Sequence, residues 1–121
     1  MTKILIAEDD KFLASALRVK LTKAGFTVVV AVDGVETLVQ AKAEKPDLIL
    51  LDIIMPAKDG FTVLTELKAN PDLRSIPVVV ASNLGQAEDV QKGKELGAID
   101  YIVKSDLSLD ELVEKIPAWL K

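Results

Sequence analysis

Acidic side chains follow two of the apolar runs of this chain, and their types and spacing could do chemistry together. Glu8, Asp9 and Asp10 come directly after the first run, and Asp52 follows a later one. Carboxylates gathered at one place repel one another, because two unit charges about 4 Å apart interact by roughly 4 kcal/mol at an effective dielectric of ~20. A hard divalent cation removes that repulsion and prefers oxygen ligands. These residues therefore predict a site for Mg²⁺, with Mn²⁺ as the alternative.

Two more polar residues stand at equivalent points, since Ser82 and Lys104 follow the fourth and fifth apolar runs. In an open parallel sheet, ligands bind outside the carboxyl ends of the strands. We therefore expect carboxylates, a hydroxyl and an ammonium group to meet at one edge. A mononucleotide-binding fold would place Gly, Ser or Thr after the first strand to donate to a phosphate. The acidic turn in this chain argues against that kind of site.

The elements that must position these residues alternate along the chain. Short apolar runs are typical of strands that are covered on both faces, and the segments between them carry apolar residues at helical spacing. Right-handed crossovers between such strands produce a doubly wound, five-stranded parallel sheet with helices on both faces, an α/β fold. Two strand orders are common for such sheets, and periodicity does not choose between them. The predicted strands are Lys3–Ala7, Thr27–Ala31, Asp47–Leu51, Ile76–Ala81 and Ala98–Val103.

Glycine and proline predict where helices end. Gly25 and Gly97 stand where a left-handed residue terminates a helix, and Pro117 predicts a stop or kink near Ile116. The segment Gln86–Leu96 has a thin apolar stripe, so we expect its helix to be the least firmly held. Helix N-caps are predicted at Asp10, Asp33, Asp59 and Ser108.

Composition excludes several classes of protein. The 121 residues include no Cys and no His, which excludes disulfides, thiolate or imidazole metal sites and Ser-His-Asp catalysis. The formal net charge of −4 argues against direct nucleic-acid binding. No apolar run is long enough to span a membrane and no secretory signal is present, so a cytoplasmic location is expected. The length is typical of one domain, residues 1–121.

Four segments of the chain resemble the receiver domain of two-component response regulators. The most specific is Leu51–Gly60, which reads Leu-Asp-Ile-Ile-Met-Pro-Ala-Lys-Asp-Gly. The others are Ile4–Asp10, Val80–Ser82 and Tyr101–Lys104, so that the resemblance covers essentially the whole chain. It implies a flavodoxin-like receiver with the strand order 2-1-3-4-5.

The resemblance also implies roles for the acidic residues. Asp52 would accept a phosphoryl group from a sensor histidine kinase or a phosphotransfer protein. Glu8, Asp9, Asp52 and the backbone carbonyl of Ile54 would hold Mg²⁺. The protein would then be no enzyme in the ordinary sense, because it would catalyse only its own phosphorylation and dephosphorylation.

A switch is the second implication of the resemblance. Ser82 and Lys104 would contact the phosphoryl group, and Ser82 would act with Tyr101 to change a protein-binding surface. That surface would be the face formed by the fourth helix, the fifth strand and the fifth helix, and its partner is not named by the sequence. We expect a stand-alone receiver, although a receiver cut from a longer protein would have the same sequence.

The chain departs from the receiver pattern at two positions. Ser105 stands where receivers carry proline after a cis peptide bond, which leaves a cis or a trans Lys104–Ser105 bond open. Asn83 replaces a small residue after Ser82 and could narrow access to Asp52. These departures favour an alternative function, a non-switching docking module with the same fold. A metal-dependent phosphatase of similar topology is discounted, because Ile54 stands where such an enzyme needs a second acid.

Overall fold

Strands and helices alternate along the chain in a computed structural model, which describes residues 2–120. None of the helices in this range is long and apolar enough to cross a membrane. A 3₁₀ turn at Lys104–Asp106 follows the last strand. The elements are β1 Lys3–Ala7, α1 Lys11–Lys23, β2 Thr27–Ala31, α2 Gly34–Glu44, β3 Leu48–Leu51, α3 Gly60–Ala69, β4 Val78–Ser82, α4 Ala87–Glu95, β5 Asp100–Val103 and α5 Leu109–Trp119.

The five strands form one parallel sheet in the order β2-β1-β3-β4-β5. This confirms the fold class and the strand order that the resemblance implied. The strands are shorter at their starts than predicted, since β3 begins at Leu48, β4 at Val78 and β5 at Asp100. Pro77 precedes β4 and has no N–H to donate, although its carbonyl accepts from Ile49 at 3.0 Å.

Alternate side chains of the strands enter two core layers on opposite faces of the sheet. On one face Leu5, Ile49 and Val80 pack with the apolar residues of α2, α3 and α4. On the other face their neighbours along the strands pack against α1 and α5; this layer includes Ile4, Leu48, Val79, Leu17, Leu21, Leu112 and Ile116. Burial on both faces explains why each strand is a continuous apolar run instead of an alternating one.

Helix ends follow the predicted signals. The side chain of each predicted N-cap accepts a backbone N–H of the first turn, and these residues are Asp10, Asp33, Asp59 and Ser108. Gly25 and Gly97 have φ angles of 97° and 109°, which places them in the left-handed region as predicted. These caps fix where α1, α2, α3 and α5 start, and therefore how long the loops that precede these helices are.

Of the predicted stop or kink near Ile116, the stop is wrong, because α5 continues through Pro117 to Trp119. Pro117 lies in the last turn, where a missing N–H removes a single backbone hydrogen bond. Ile116 and Trp119 are buried on either side of it. The indole N–H of Trp119 also donates to the carboxylate of Asp100 at 3.0 Å. These contacts hold the last turn on the sheet in spite of the proline.

The helix α4 has the thin apolar face that the sequence predicted. Gly93 is the only residue of α4 that is buried. The N-cap, Gln86, makes no side-chain hydrogen bond to the first turn. Little apolar area therefore attaches this helix to the sheet, and we expect its local stability to be lower than that of the other helices.

The substitution Ala57→Gly is expected to stabilise the protein. Ala57 lies exposed in the β3–α3 loop with a φ of 68°, a left-handed conformation that strains any residue with a Cβ. Glycine removes the strain of the folded state but also stabilises the unfolded chain by giving it more conformational entropy. The strain is the larger of the two free energies, so the free energy of unfolding should rise by about 0.5–1 kcal/mol. Urea denaturation measures the change.

The same substitution at Ala43 is the matched control for Ala57→Gly. Ala43 is exposed in the last turn of α2, where the backbone is helical. Ala43→Gly should therefore destabilise by roughly 1 kcal/mol. A loss of stability in both variants would contradict the strain assigned to Ala57.

Candidate functional site

The carboxyl edge of the sheet brings together the side chains that follow β1, β3 and β5. The ammonium Nζ of Lys104 lies 3.0 Å from Oδ2 of Asp52 and also donates a hydrogen bond to the carboxylate of Glu8. Glu8 and Asp52 are 3% and 7% exposed, so both carboxylates are buried. The ammonium group of Lys104 therefore compensates the negative charges of two buried carboxylates. Carboxylates on the surface are solvated by water and do not need such a partner.

Asp9 completes the acidic cluster from the solvent side. One oxygen from each of Glu8, Asp9 and Asp52 lies within 4.8 Å of the others, and Asp9 is exposed. Oxygen ligands on two buried groups and one solvated group fit a hard cation such as Mg²⁺, which keeps several water ligands. The donor set, with no nitrogen or sulfur, therefore agrees with the predicted cation.

Burial and the ion pairs shift the pKa values of Glu8 and Lys104. Burial raises the pKa of Glu8, and the neighbouring Asp52 carboxylate acts in the same direction, while Lys104 lowers it in part. For Lys104, burial alone would lower the pKa, but its hydrogen bonds to Glu8 and Asp52 hold the pKa above the ordinary 10.5. The ammonium form of Lys104 is therefore the form that the folded protein favours.

Asp10 is a helix cap and contributes its backbone, not its carboxylate, to the site. Its Oδ1 accepts the N–H groups of Phe12 and Leu13 at 3.0 and 3.1 Å, which fixes the first turn of α1. Its own N–H donates to Oε2 of Glu8 at 3.1 Å. The start of α1 thus holds Glu8 in position from one side while Lys104 holds it from the other.

The β3–α3 loop folds closely over the end of β3. The N–H of Ile54 donates to Oδ1 of Asp52 at 3.2 Å, and the N–H of Gly60 donates to the carbonyl of Ile53 at 2.8 Å. A Cβ on Gly60 would lie 2.2 Å from the backbone oxygen of Asp52, so only glycine permits this approach. The loop places the backbone of Ile54 next to Asp52, while the Ile54 side chain is 61% exposed.

Ser82 and Tyr101 are joined through the loop that follows β4. Ser82 is fully buried, and its Oγ accepts the N–H of Leu84 at 3.3 Å. The phenolic O–H of Tyr101 donates to the carbonyl of the same Leu84 at 2.5 Å. Burial, together with the negative charge of Asp89, raises the pKa of Tyr101. The ring of Tyr101 is therefore buried, with its O–H directed to the loop after β4, and we call this its inward position.

The Lys104–Ser105 peptide bond is trans. The chain then enters the 3₁₀ turn, in which Ser105 is exposed. Asn83, the other departure from the receiver pattern, is also exposed. The open alternative of a cis bond is thus resolved, and Lys104 reaches Asp52 without it.

Sequence reasoning missed an apolar cavity beneath this turn, between α1 and α5. Glu8, Asp52 and Lys104 line its polar end, and its remaining walls are aliphatic side chains such as Leu13, Leu17, Leu107, Leu109 and Leu112. No local pattern marks it, because these leucines belong to separate segments that meet only in the fold. The cavity leaves the buried ion pairs with apolar surroundings on one side, which strengthens them electrostatically.

The substitution Lys104→Met is expected to lower the free energy of unfolding by about 2 kcal/mol at neutral pH, because it leaves two buried carboxylates without a cation. The raised pKa of Lys104 also predicts a pH dependence. Its stabilisation is complete below the unfolded pKa of 10.5 and is lost as the pH rises through the higher folded value. Urea denaturation at several pH values measures both effects.

The difference in stability between the unmodified protein and Lys104→Met should therefore shrink in alkaline solution. Lys115→Met is the matched control, because Lys115 is exposed on α5. This control should change stability little at any pH. A difference for Lys104→Met that stays constant from about pH 8 to about pH 11.5 would show that the ion pairs contribute nothing.

Comparison with known proteins agrees with this geometry. The family profile of the response regulator receiver domain matches residues 4–117. The transcriptional regulatory protein PrrA of Mycobacterium tuberculosis is 40% identical over 119 residues, which are 98% of this chain and 50% of PrrA. The chain thus spans about half the length of this curated relative.

Two solved structures are similar over nearly the whole chain. The BeF₃-activated N-terminal receiver domain of Klebsiella pneumoniae RstA has a TM-score of 0.91 and 32% identity, and the match covers 99% of each chain. The Mn²⁺-bound form of the response regulator Rcp1 has a TM-score of 0.84 and 34% identity, and the match covers 100% of this chain and 96% of Rcp1.

Proposed function

We propose, because this chain belongs to the family of response regulator receiver domains, that Asp52 is the residue that accepts the phosphoryl group. Receiver domains are signalling modules that take phosphoryl groups from histidine kinases or phosphotransfer proteins. The observation that carries the proposal is the buried carboxylate of Asp52, which is paired with Lys104 and faces Glu8 and Asp9. Asp52 also follows β3, the middle strand of the sheet, and its Oδ1 accepts the N–H of Ile54.

The chemistry that this arrangement supports is attack by a carboxylate oxygen on phosphorus. The Asp52 oxygen would form a new O–P bond while the P–N bond of a donor phosphohistidine breaks, and the leaving imidazolate nitrogen would take one proton from water to give neutral imidazole. The product is an acyl phosphate on Asp52. Lys104 would pair with one phosphoryl oxygen, since its ammonium group already lies beside the carboxylate.

Mg²⁺, or Mn²⁺ in its place, would be held by Glu8, Asp9, Asp52 and the backbone carbonyl of Ile54. The acidic cluster and the nearby Ile54 backbone support this set, as does the resemblance to a Mn²⁺-bound response regulator. A bound divalent cation supplies positive charge that offsets the repulsion between Asp52 and an anionic phosphoryl group. Asp9 would keep its solvent-exposed position, which leaves the site open to a donor.

Phosphorylation would switch the loop that follows β4. The hydroxyl of Ser82 would donate to the phosphoryl group, and the loop would carry Leu84 away from its hydrogen bond with Tyr101. Tyr101 could then leave its inward position and change the face formed by α4, β5 and α5. We propose that this face binds the output partner.

We infer further that residues 1–121 form one receiver domain. The family match, over residues 4–117, and the single five-stranded sheet support this inference. The catalysis of this domain would be limited to its own phosphorylation and dephosphorylation.

Incubation with acetyl phosphate and Mg²⁺ should add one phosphoryl group, seen by intact-mass spectrometry. Asp52→Asn should abolish the addition, because the amide is not a nucleophile of comparable strength. Asp59→Asn is the matched control, since Asp59 is an exposed N-cap in the same loop and asparagine caps equally well. No added mass in the unmodified protein would instead support the non-switching docking module.

The substitution Asp9→Asn is expected to weaken Mg²⁺ binding roughly tenfold or more, because it removes one carboxylate from the cluster. Asp10→Asn should leave the affinity nearly unchanged, since Asp10 caps α1 and asparagine preserves the cap. Isothermal titration calorimetry measures both affinities. Equal weakening by the two substitutions would mean that only the overall negative charge attracts the cation.

A further inference from the structure

Gly93 lies inside α4, where a glycine is unfavourable in itself. A glycine within a helix destabilises it relative to alanine, because the unfolded chain loses more conformational freedom. Gly93 is also the only buried residue of this helix. Its backbone conformation is not left-handed, so no special φ angle requires glycine. The reason for a glycine must therefore be sought in what it packs against.

The aromatic ring of Tyr101 occupies the space beside Gly93. A Cβ on Gly93 would lie 2.9 Å from Cδ2 and 3.2 Å from Cε2 of this ring. It would also lie 3.7 Å from Cγ2 of Val80, on the strand below. Carbon atoms pack at about 3.5–4.0 Å, so even a methyl group would overlap the ring.

Tyr101 is held on its far side by the loop that follows β4. Its O–H donates to the carbonyl of Leu84, and the N–H of Leu84 donates to Ser82. The ring therefore lies between α4 on one side and the Ser82 loop on the other. A displacement of either the helix or the ring would disturb the hydrogen bond to Leu84.

The attachment of α4 is weak enough to respond to such a displacement. Val90 is only partly buried against the core, and Gln86 caps the helix without a side-chain hydrogen bond. The ammonium group of Lys92 lies 4.5 Å from the centre of the Phe61 ring, a cation–π contact with α3. The position of α4 thus depends on a small number of contacts, among which the fit of Gly93 on Tyr101 is the most buried.

We propose that Gly93 sets the resting conformation of this chain. The absence of a side chain lets α4 lie directly on the inward ring of Tyr101, which keeps Tyr101 bonded to Leu84. A larger residue at position 93 shifts the balance toward an outward ring or a lifted helix. The packing of Gly93 against Tyr101 does not depend on phosphorylation. The effect of this packing on signalling rests on the proposed function.

Nitration of Tyr101 by tetranitromethane tests the proposal, because Tyr101 is the only tyrosine in the chain. The variant Gly93→Ala should be nitrated severalfold faster than the unmodified protein. Gln91→Ala is the matched control, since Gln91 is exposed on the same helix and gains helix propensity without a clash. An unchanged nitration rate in Gly93→Ala, or an equal increase in both variants, would overturn the proposal.

A double-mutant cycle distinguishes a clash with the ring from general damage to α4. In the unmodified protein, Gly93→Ala should lower the midpoint of urea denaturation. In the Tyr101→Ala background the ring is gone, so Gly93→Ala should raise the midpoint through its better helix propensity. The same change in both backgrounds would overturn the proposal. Both experiments use unphosphorylated protein, so a failure of Asp52 to accept phosphate leaves their outcome unaffected.

Discussion

The ion pairs of Lys104 with Glu8 and Asp52 are the interactions on which the acidic cluster at the carboxyl edge of the sheet depends. Burial of a carboxylate costs several kcal/mol unless a cation compensates it, and here two are buried side by side. Asp9, which has no place beside the cation, stays in solvent. Lys104 thus compensates the two buried charges, and Glu8, Asp9 and Asp52 still bring one carboxylate oxygen each to within 4.8 Å of the others.

The topology explains why a lysine can do this. The strand order places β4 between β5, which precedes Lys104, and β3, which precedes Asp52. Neighbouring strands lie about 4.8 Å apart, so the cation must reach across about two such spacings. A lysine at the start of the 3₁₀ turn has the length for it, and β4 ends in the small residue Ser82. The buried Ser82 therefore ends the strand that lies between the strands of Lys104 and Asp52.

The sequence predicted much of this fold, but for different reasons at different places. Buried parallel strands and capped helices follow from local patterns, whereas the strand order came from the resemblance, because both common orders produce the same periodicity. The predicted stop of α5 near Ile116 was wrong, because the effect of Pro117 was weighed without the hydrogen bond from Trp119 to Asp100. The sharing of Lys104 with Glu8 could not be predicted either. It depends on how side chains distant in sequence fill the same few ångströms.

The helices differ in how many of their residues are buried against the sheet. We expect this difference to decide which helix moves when the site changes. The helix α3 buries four residues and α5 buries three, but α4 buries only Gly93. The loop that begins after Ser82 leads directly into α4. Local opening takes place where the fewest apolar contacts must be broken. We therefore expect an interaction with the Ser82 hydroxyl to act first on α4, the helix with the fewest buried residues, and to leave the core strands beneath it unchanged.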